Sequence, residues 1–176
     1  MMAVAAPASG ELPDVLAVDL RVIFVGTAAG RRSAAAGAYY AHPGNRFWRT
    51  LHEVGMMPCK LDPAEFRKLL ADGIGFTDIA KNAAGMDHEI APEHYDLAGF
   101  AAKLDAFKPR VVAFTSKKAA SIWFGVPTGR LKLGLQPKAV TGAPEIFVLT
   151  SPSGAASRYW SIEPWCALAR VHQLSR

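Results

Sequence analysis

Val22-Ile23-Phe24-Val25-Gly26-Thr27-Ala28-Ala29-Gly30 is the stretch that decides the fold. Four bulky apolar residues run together without polar alternation, so the strand they form must be covered on both faces, as in a parallel sheet. The run ends in small residues that leave the backbone open to a ligand. Soon afterwards the chain reads Ala38-Tyr39-Tyr40-Ala41-His42-Pro43-Gly44-Asn45-Arg46-Phe47-Trp48. Aromatic rings and an Asn-Arg pair thus arrive near the same strand end, which suits a pocket for a flat group that carries a phosphate.

Working outward, residues 111–115 and 146–150 read as two further buried strands. The segment Gly73-Ile74-Gly75-Phe76-Thr77-Asp78-Ile79 is a weaker fourth. Helical spacing lies between them. Phe47, Trp48, Leu51 and Val54 follow Pro43, which suits a first turn. Further stripes are Phe66, Leu69 and Leu70 after Pro63; Leu97, Phe100, Ala101 and Leu104; and Ala119, Ala120, Ile122 and Trp123. Ser161 suits the cap of a last helix, with Pro164 in its first turn and Trp165, Leu168 and Val171 inward. Alternating strand and helix predict a three-layer α/β/α sandwich around a mostly parallel sheet of about four strands. The loops after Val25, Phe76, Phe114 and Leu149 then converge at the carboxyl edge, where such sheets bind ligands.

The chain has 176 residues, 51% of them hydrophobic and 20% charged, with a formal net charge of +5. That length suits one domain, assigned to residues 15–176, behind an Ala- and Pro-rich flexible tail at 1–14. The positive surplus suits an anionic partner. Two cysteines, Cys59 and Cys166, form no CxxC, so a disulfide framework or zinc site is not expected. No apolar run approaches the ~18 residues of a membrane helix, and the start lacks a basic n-region. A cytoplasmic protein without membrane attachment is the expectation, close to the nucleoid if the source is prokaryotic.

Gly26 to Gly30 matches neither GxGxxG nor GxxxxGK[ST], so no nucleotide cofactor follows from it. His88-Glu89-Ile90-Ala91-Pro92-Glu93-His94 only mimics HExxH. Its second histidine stands six residues on, beyond a proline, so no helix face presents both to a metal. A polar loop over or beside the pocket is expected there. No GxSxG elbow is present.

The ordered set is more specific than its parts. The first glycine segment is followed by Ala41 to Trp48, Gly73 to Asp78, Leu133-Gly134-Leu135-Gln136-Pro137 and Ser151-Pro152-Ser153-Gly154-Ala155-Ala156-Ser157-Arg158. In that order it resembles the uracil-DNA glycosylase superfamily, most closely the mismatch-specific uracil/thymine branch, over nearly the whole chain. The resemblance implies a monomeric repair enzyme that flips uracil from DNA and hydrolyses its N-glycosidic bond, without metal or other cofactor. A damage-binding module without catalysis, or release of another deaminated base such as hypoxanthine or xanthine, are the alternatives.

The resemblance also assigns residues. Tyr40 aligns with the aromatic that stacks on the base, while Tyr39 is to wall the pocket or meet DNA. Asn45 and Arg46 brace the loop, and His42 is a lesser catalytic candidate. Gly26, Thr27, Ala28 and Phe76 fall at the base, with Asn82 as an amide that reads it. Ser151, Ser153, Gly154 and Arg158 belong to the loop that enters the minor groove. Ser116, Lys117 and Lys118, opening a helix after a strand, suit phosphate. Several positions depart from the pattern. The wedge of the late loop carries Ala155 and Ala156 with no large apolar residue, which leaves Arg158 or Tyr159 to fill the vacated stack, and Asp78 stands where the counterpart is usually an asparagine that reads the base edge. Ser151 stands where the uracil-specific branch has a histidine near the start of that loop. Ala28 stands where the mismatch-specific branch has an asparagine that positions water. A methyl group cannot orient water, so the mechanistic weight moves to Asp78. Its carboxylate can activate water, stabilise a sugar cation or accept the imide N–H. Its bland reading is a helix N-cap.

Overall fold

The structure, a computed structural model, describes residues 12–138 and 140–174. Five strands form one sheet in the order β2-β1-β3-β5-β4: β1 Val22–Ala29, β2 Ile74–Ala84, β3 Val111–Phe114, β4 Gly134–Leu135 and β5 Glu145–Val148. The first four strands in that order are mutually parallel. β4 runs antiparallel to β5 at the edge. The expected three α/β layers are present. One face of the sheet packs on α2 (Phe47–Glu53), α5 (Glu163–Leu174) and a 3-10 segment at Pro63–Asp72. The other packs on α3 (Leu97–Phe107) and α4 (Lys117–Phe124). A short α1 (Arg31–Ala36) follows β1.

Both faces of β1 are apolar because both are covered, as its unalternated sequence demands. Val22 and Phe24 enter one core; Ile23 and Val25 enter the other. Trp165 anchors the first core, fully buried, with its indole N–H donating to Thr150 at 3.1 Å to the carbonyl and 3.0 Å to the hydroxyl. Phe24, Phe47 and Phe76 surround one another there with ring centroids 4.9–6.1 Å apart. Such pairs add to the burial of their area.

Several details differ from expectation. The sheet has five strands. The two-residue β4 is too short and too glycine-bound to give a periodic signal. β1 does not stop at Gly26 but continues to Ala29, because Gly26 and Ala28 still pair with Asp78 and Ala80 of β2. β2 likewise runs on to Ala84, so Asp78 lies mid-strand and caps no helix. α2 starts at Phe47 rather than near Pro43, since Asn45 Oδ1 accepts from the Phe47 amide at 2.9 Å and opens the helix there. At the amino end, residues 1–11 of the expected tail lie outside the described residues. Leu12 is buried and Asp14 is ion-paired, so both belong to the packed structure.

β1 sits at the switch point: the chain leaves it for β2 on one side and later returns to β3 on the other. The crevice beyond the carboxyl ends of β1 and β3 is therefore where a ligand belongs.

Candidate active site

A cleft of about 720 Å³ opens at that switch point. The carboxyl end of each parallel strand contributes to it: 26–29 at the end of β1 with 30–33 after it, Asp78 of β2 with 85–89 after that strand, Thr115 and Ser116 after β3, and 151–156 after β5. The aromatic loop supplies Tyr39, Tyr40, His42 and Asn45. A cleft of this size takes a nucleobase and its sugar.

On the first-core face of β1 the cleft floor is bare. Gly26 and Ala28 point the same way along the strand and offer no polar side chain. Gly26 pairs in register with Asp78 of β2. The Asp78 carboxylate occupies the space a side chain at 26 would need, and a Cβ there would overlap Asp78 Oδ1. Asp78 is 4% exposed and is the one buried carboxylate among the described residues. Burial pushes its carboxyl above the ordinary aspartate value. Lys81 pulls it down, Asp14 pushes it up, and Lys103 adds a smaller pull downward. Lys81 Nζ lies 3.5 Å from Asp78 Oδ2, and no group among the described residues hydrogen-bonds Oδ1.

Tyr40 stands beside this carboxylate in a left-handed backbone conformation, φ 53°, which is uncommon for a non-glycine residue. The conformation is held from several sides. One ring face stacks on Phe47 at 4.0 Å and 14°. The hydroxyl lies 3.3 Å from Thr115 Oγ1, which itself donates to the Val25 carbonyl at 3.2 Å. The buried Trp48 indole N–H donates to the Tyr39 carbonyl at 3.0 Å, and Ser33 Oγ accepts from the Ala41 amide at 3.0 Å. Backbone kept in a sparsely populated region by surrounding contacts marks functional sites. Burial raises the Tyr40 phenol far above its ordinary range, so it stays neutral.

The aromatic loop and the late loop are fastened together. The Arg46 amide donates to the Pro152 carbonyl at 2.8 Å, and its guanidinium donates to Ser157 Oγ at 2.9 Å while lying 5.4 Å from the Trp160 ring centre. Gly44 and Gly154 meet back to back, with little room for a side chain at 154. Ser153 Oγ accepts from the Ala155 amide at 3.3 Å and opens the 3-10 turn Gly154–Tyr159. Ser116 Oγ does the same for the Ala119 amide at 3.1 Å, capping α4 with its amino end at the cleft.

Of the residues singled out from sequence, Gly26, Thr27, Ala28, Tyr40, His42, Asn45, Asp78, Ser116, Ser151, Ser153 and Gly154 line one cleft. Phe76 does not: it is fully buried and backs the wall through Tyr39, whose ring lies 5.1 Å away. Asn82 is exposed near the end of β2, outside the cleft lining. Lys117 and Lys118 stand one and two residues beyond Ser116 at the start of α4, and Arg158 is exposed over Tyr159 at 5.8 Å; none lines the cleft. Thr27 is buried, with a hydroxyl that has no hydrogen-bond partner among the described residues; strand alternation puts its side chain on the face opposite Gly26 and Ala28. His42 Nδ1 accepts from the Gly44 amide at 2.9 Å, which assigns the proton of a neutral ring to Nε2. The stretch from His88 to His94 folds into parts of two 3-10 turns, Asp87–Glu89 and Pro92–His94. The first of these borders the cleft, and Glu89 there pairs with Arg31 at 2.7 Å.

Sequence reasoning missed the ion cluster beside Asp78. It consists of Asp14, Lys81, Lys103 of α3 and Thr77. Asp14 joins Lys103 at 2.6 Å and Lys81 at 3.2 Å, and Thr77 Oγ1 donates to Asp14 Oδ1 at 2.7 Å.

The family model of the uracil DNA glycosylase superfamily matches residues 13–174, which include every strand of the sheet and all of the cleft lining but Leu12. The chain belongs to this superfamily. It is thereby a DNA glycosylase by class, a base-excision hydrolase with DNA as its partner. Its fold is also that of a Methanosarcina acetivorans protein, provisionally named a uracil DNA glycosylase, whose solution NMR structure aligns with a TM-score of 0.65. The two are 23% identical over 96% of this chain and 99% of the other. Among the described residues, no helix is long and apolar enough to cross a membrane.

Proposed function

We propose that this superfamily member flips uracil out of DNA into the cleft and hydrolyses its N-glycosidic bond, leaving an abasic site. The observation that carries the reading is the buried carboxylate of Asp78 over Gly26, beside the stacked Tyr40 ring and with one oxygen unpaired among the described residues.

The extruded base lies against Tyr40, whose other face is backed by Phe47. Stacking of this kind is worth ~1–3 kcal/mol per base. As the bond from C1′ to the base nitrogen breaks, its electron pair leaves with the base and positive charge builds on the sugar. Ionised Asp78 stabilises that charge and orients the incoming water through Oδ1. Water then bonds to C1′, and its released proton ends on the departing base. In a water-poor site such a carboxylate is worth more than in solvent. The amino end of α4, with Ser116, Lys117 and Lys118, and the late loop with Ser151, Ser153, Gly154 and Arg158 hold the flanking phosphates.

The test uses oligonucleotides with uracil opposite guanine, opposite adenine or in a single strand, and matched ones with hypoxanthine or xanthine. Alkali then cleaves at abasic sites. Cleavage at uracil is expected. Cleavage only at a purine would move the substrate to another deaminated base, and tight binding with no cleavage anywhere would make the protein a damage-binding module.

A further inference from the structure

The side chains of residues three apart in a regular strand point to opposite faces. Asp78 and Lys81 nevertheless meet. The cause lies in the pairing of β1 with β2: Ala28 faces Ala80, but the next residue, Ala29, faces Ala84. The extra residues on β2 form a bulge, a device that re-aims side chains. It turns Lys81 back, where its ammonium donates to Tyr39 Oη at 2.9 Å and Asp78 Oδ2 at 3.5 Å and is ion-paired with Asp14 Oδ1 at 3.2 Å. Lys81 is only 19% exposed.

We propose that Lys81, held by Asp14 and Tyr39, is the positioning residue of the site: it fixes Asp78 through Oδ2 and supplies its counter-charge, leaving Oδ1 to the cleft. The assignment rests on the glycosylase reading of Asp78. Charge balance supports it. Lys81 and Lys103 face Asp14 and Asp78, so the cluster is neutral only when Asp78 is ionised. The remaining groups that face it are Thr77, a hydroxyl on Asp14, and the Tyr39 and Tyr40 phenols, which burial keeps neutral. Arg67 acts on Tyr39 from the 3-10 segment. Asp14 plays two parts: it holds Lys81 in place and offsets part of its charge.

Lys81 and its partner Asp14 therefore act on Asp78 with opposite sign, which a merely structural role would not do. In Lys81→Met the midpoint of the Asp78 side-chain carboxyl, followed by 13C NMR, moves to higher pH. The acid limb of the single-turnover excision rate moves with it. In Asp14→Asn both move to lower pH, because Lys81 is released from a competing carboxylate and a like charge is gone. Lys81→Arg keeps both near the wild-type position. At neutral pH the Lys81→Met rate falls about 10–100-fold, as expected for a misplaced catalytic group, while DNA affinity holds. If Lys81→Met does not fold by circular dichroism, Lys81→Arg and Asp14→Asn carry the test alone. Unmoved midpoints in folded variants, or Lys81→Met and Asp14→Asn moving the same way, overturn the assignment. A wild-type protein that releases no base overturns the glycosylase reading instead. The carboxyl titration still reports on Lys81 in that case.

Discussion

Gly26→Ala isolates the placement of Asp78 from everything else in the site. Gly26 is an in-register strand residue without positive φ, so alanine fits its backbone. Replacing a strand glycine with alanine ordinarily gains ~0.5–1 kcal/mol by removing freedom from the unfolded chain. Here the new methyl overlaps Asp78 Oδ1 and comes within 3.8 Å of Tyr40 Oη. The strand cannot yield easily, because Phe24 and Phe76 on either side are fully buried. Asp78 must rotate instead, giving up its contact with Lys81. Overpacking of that kind costs ~1–3 kcal/mol, so the net loss of stability is about 0–2.5 kcal/mol. Displacing a reacting group by about 1 Å costs ~100-fold in rate, or ~2.7 kcal/mol of barrier. Activity should thus fall far more than stability. Gly129→Ala is the control, since a Cβ there meets nothing within 4 Å and the residue lies outside the cleft lining. The assay is single-turnover release of the base, read by alkali cleavage, beside urea denaturation of both variants. A Gly26→Ala rate within about twofold of wild type, or an equal loss in Gly129→Ala, would refute the placement of Asp78 as the reacting group.

Three further outcomes follow from neighbouring contacts. Tyr40→Phe loses only the long 3.3 Å bond to Thr115 and should cost under ~1 kcal/mol in stability with activity retained. Tyr40→Ala removes the ring over Phe47 and should weaken binding of damaged DNA about tenfold or more, measured by fluorescence anisotropy. Arg46→Ala unties the aromatic loop from Ser157 and Trp160 and should lower stability by ~1–2 kcal/mol, with KM for DNA rising more than kcat falls. Asp78→Asn should abolish most excision yet raise the melting temperature near neutral pH. Burial holds the Asp78 carboxyl above its ordinary 3.8, so the stability it contributes is full below that value and is lost as pH rises through the raised folded value. The gap between variant and wild type should close in acid. A gap that is independent of pH would contradict the raised carboxyl.

The layers and the carboxyl-edge position of the site were readable because they rest on local signals. Unalternated runs such as Val22 to Val25 demand cover on both faces, and Gly26, Tyr40 and Ser153 fall directly after such runs or in loops beside them. What escaped depends on pairing. β2 passes through Asp78, Lys81 and Asn82, which carry little intrinsic strand preference. It stays extended because β1 and its pairing hold it. The resemblance places Phe76 at the base, but strand burial draws it into the core. The Lys81 cluster joins Asp14 to residues 63 or more positions away, and no spacing rule connects them. Its one local trace was the lysine three residues after Asp78, which a regular strand would have turned away.

Ala28 and Asp78 are linked by the same geometry. On the cleft face of β1 the side chains at 26 and 28 are a hydrogen and a methyl, so this strand offers the base only backbone. The neighbouring strand brings a carboxylate to the level of Gly26, and that carboxylate fits only because position 26 has no side chain. When ionised, Asp78 brings a charge into this wall. An ionised group in a nearly dry wall needs a counter-charge, and the bulge after Ala80 turns Lys81 toward it. Small floor, buried carboxylate and bulged lysine therefore require one another. An asparagine at 28 needs none of them, because a neutral amide carries no comparable desolvation cost. The missing asparagine is thus better read as one part of a charged design than as the loss of a catalytic group.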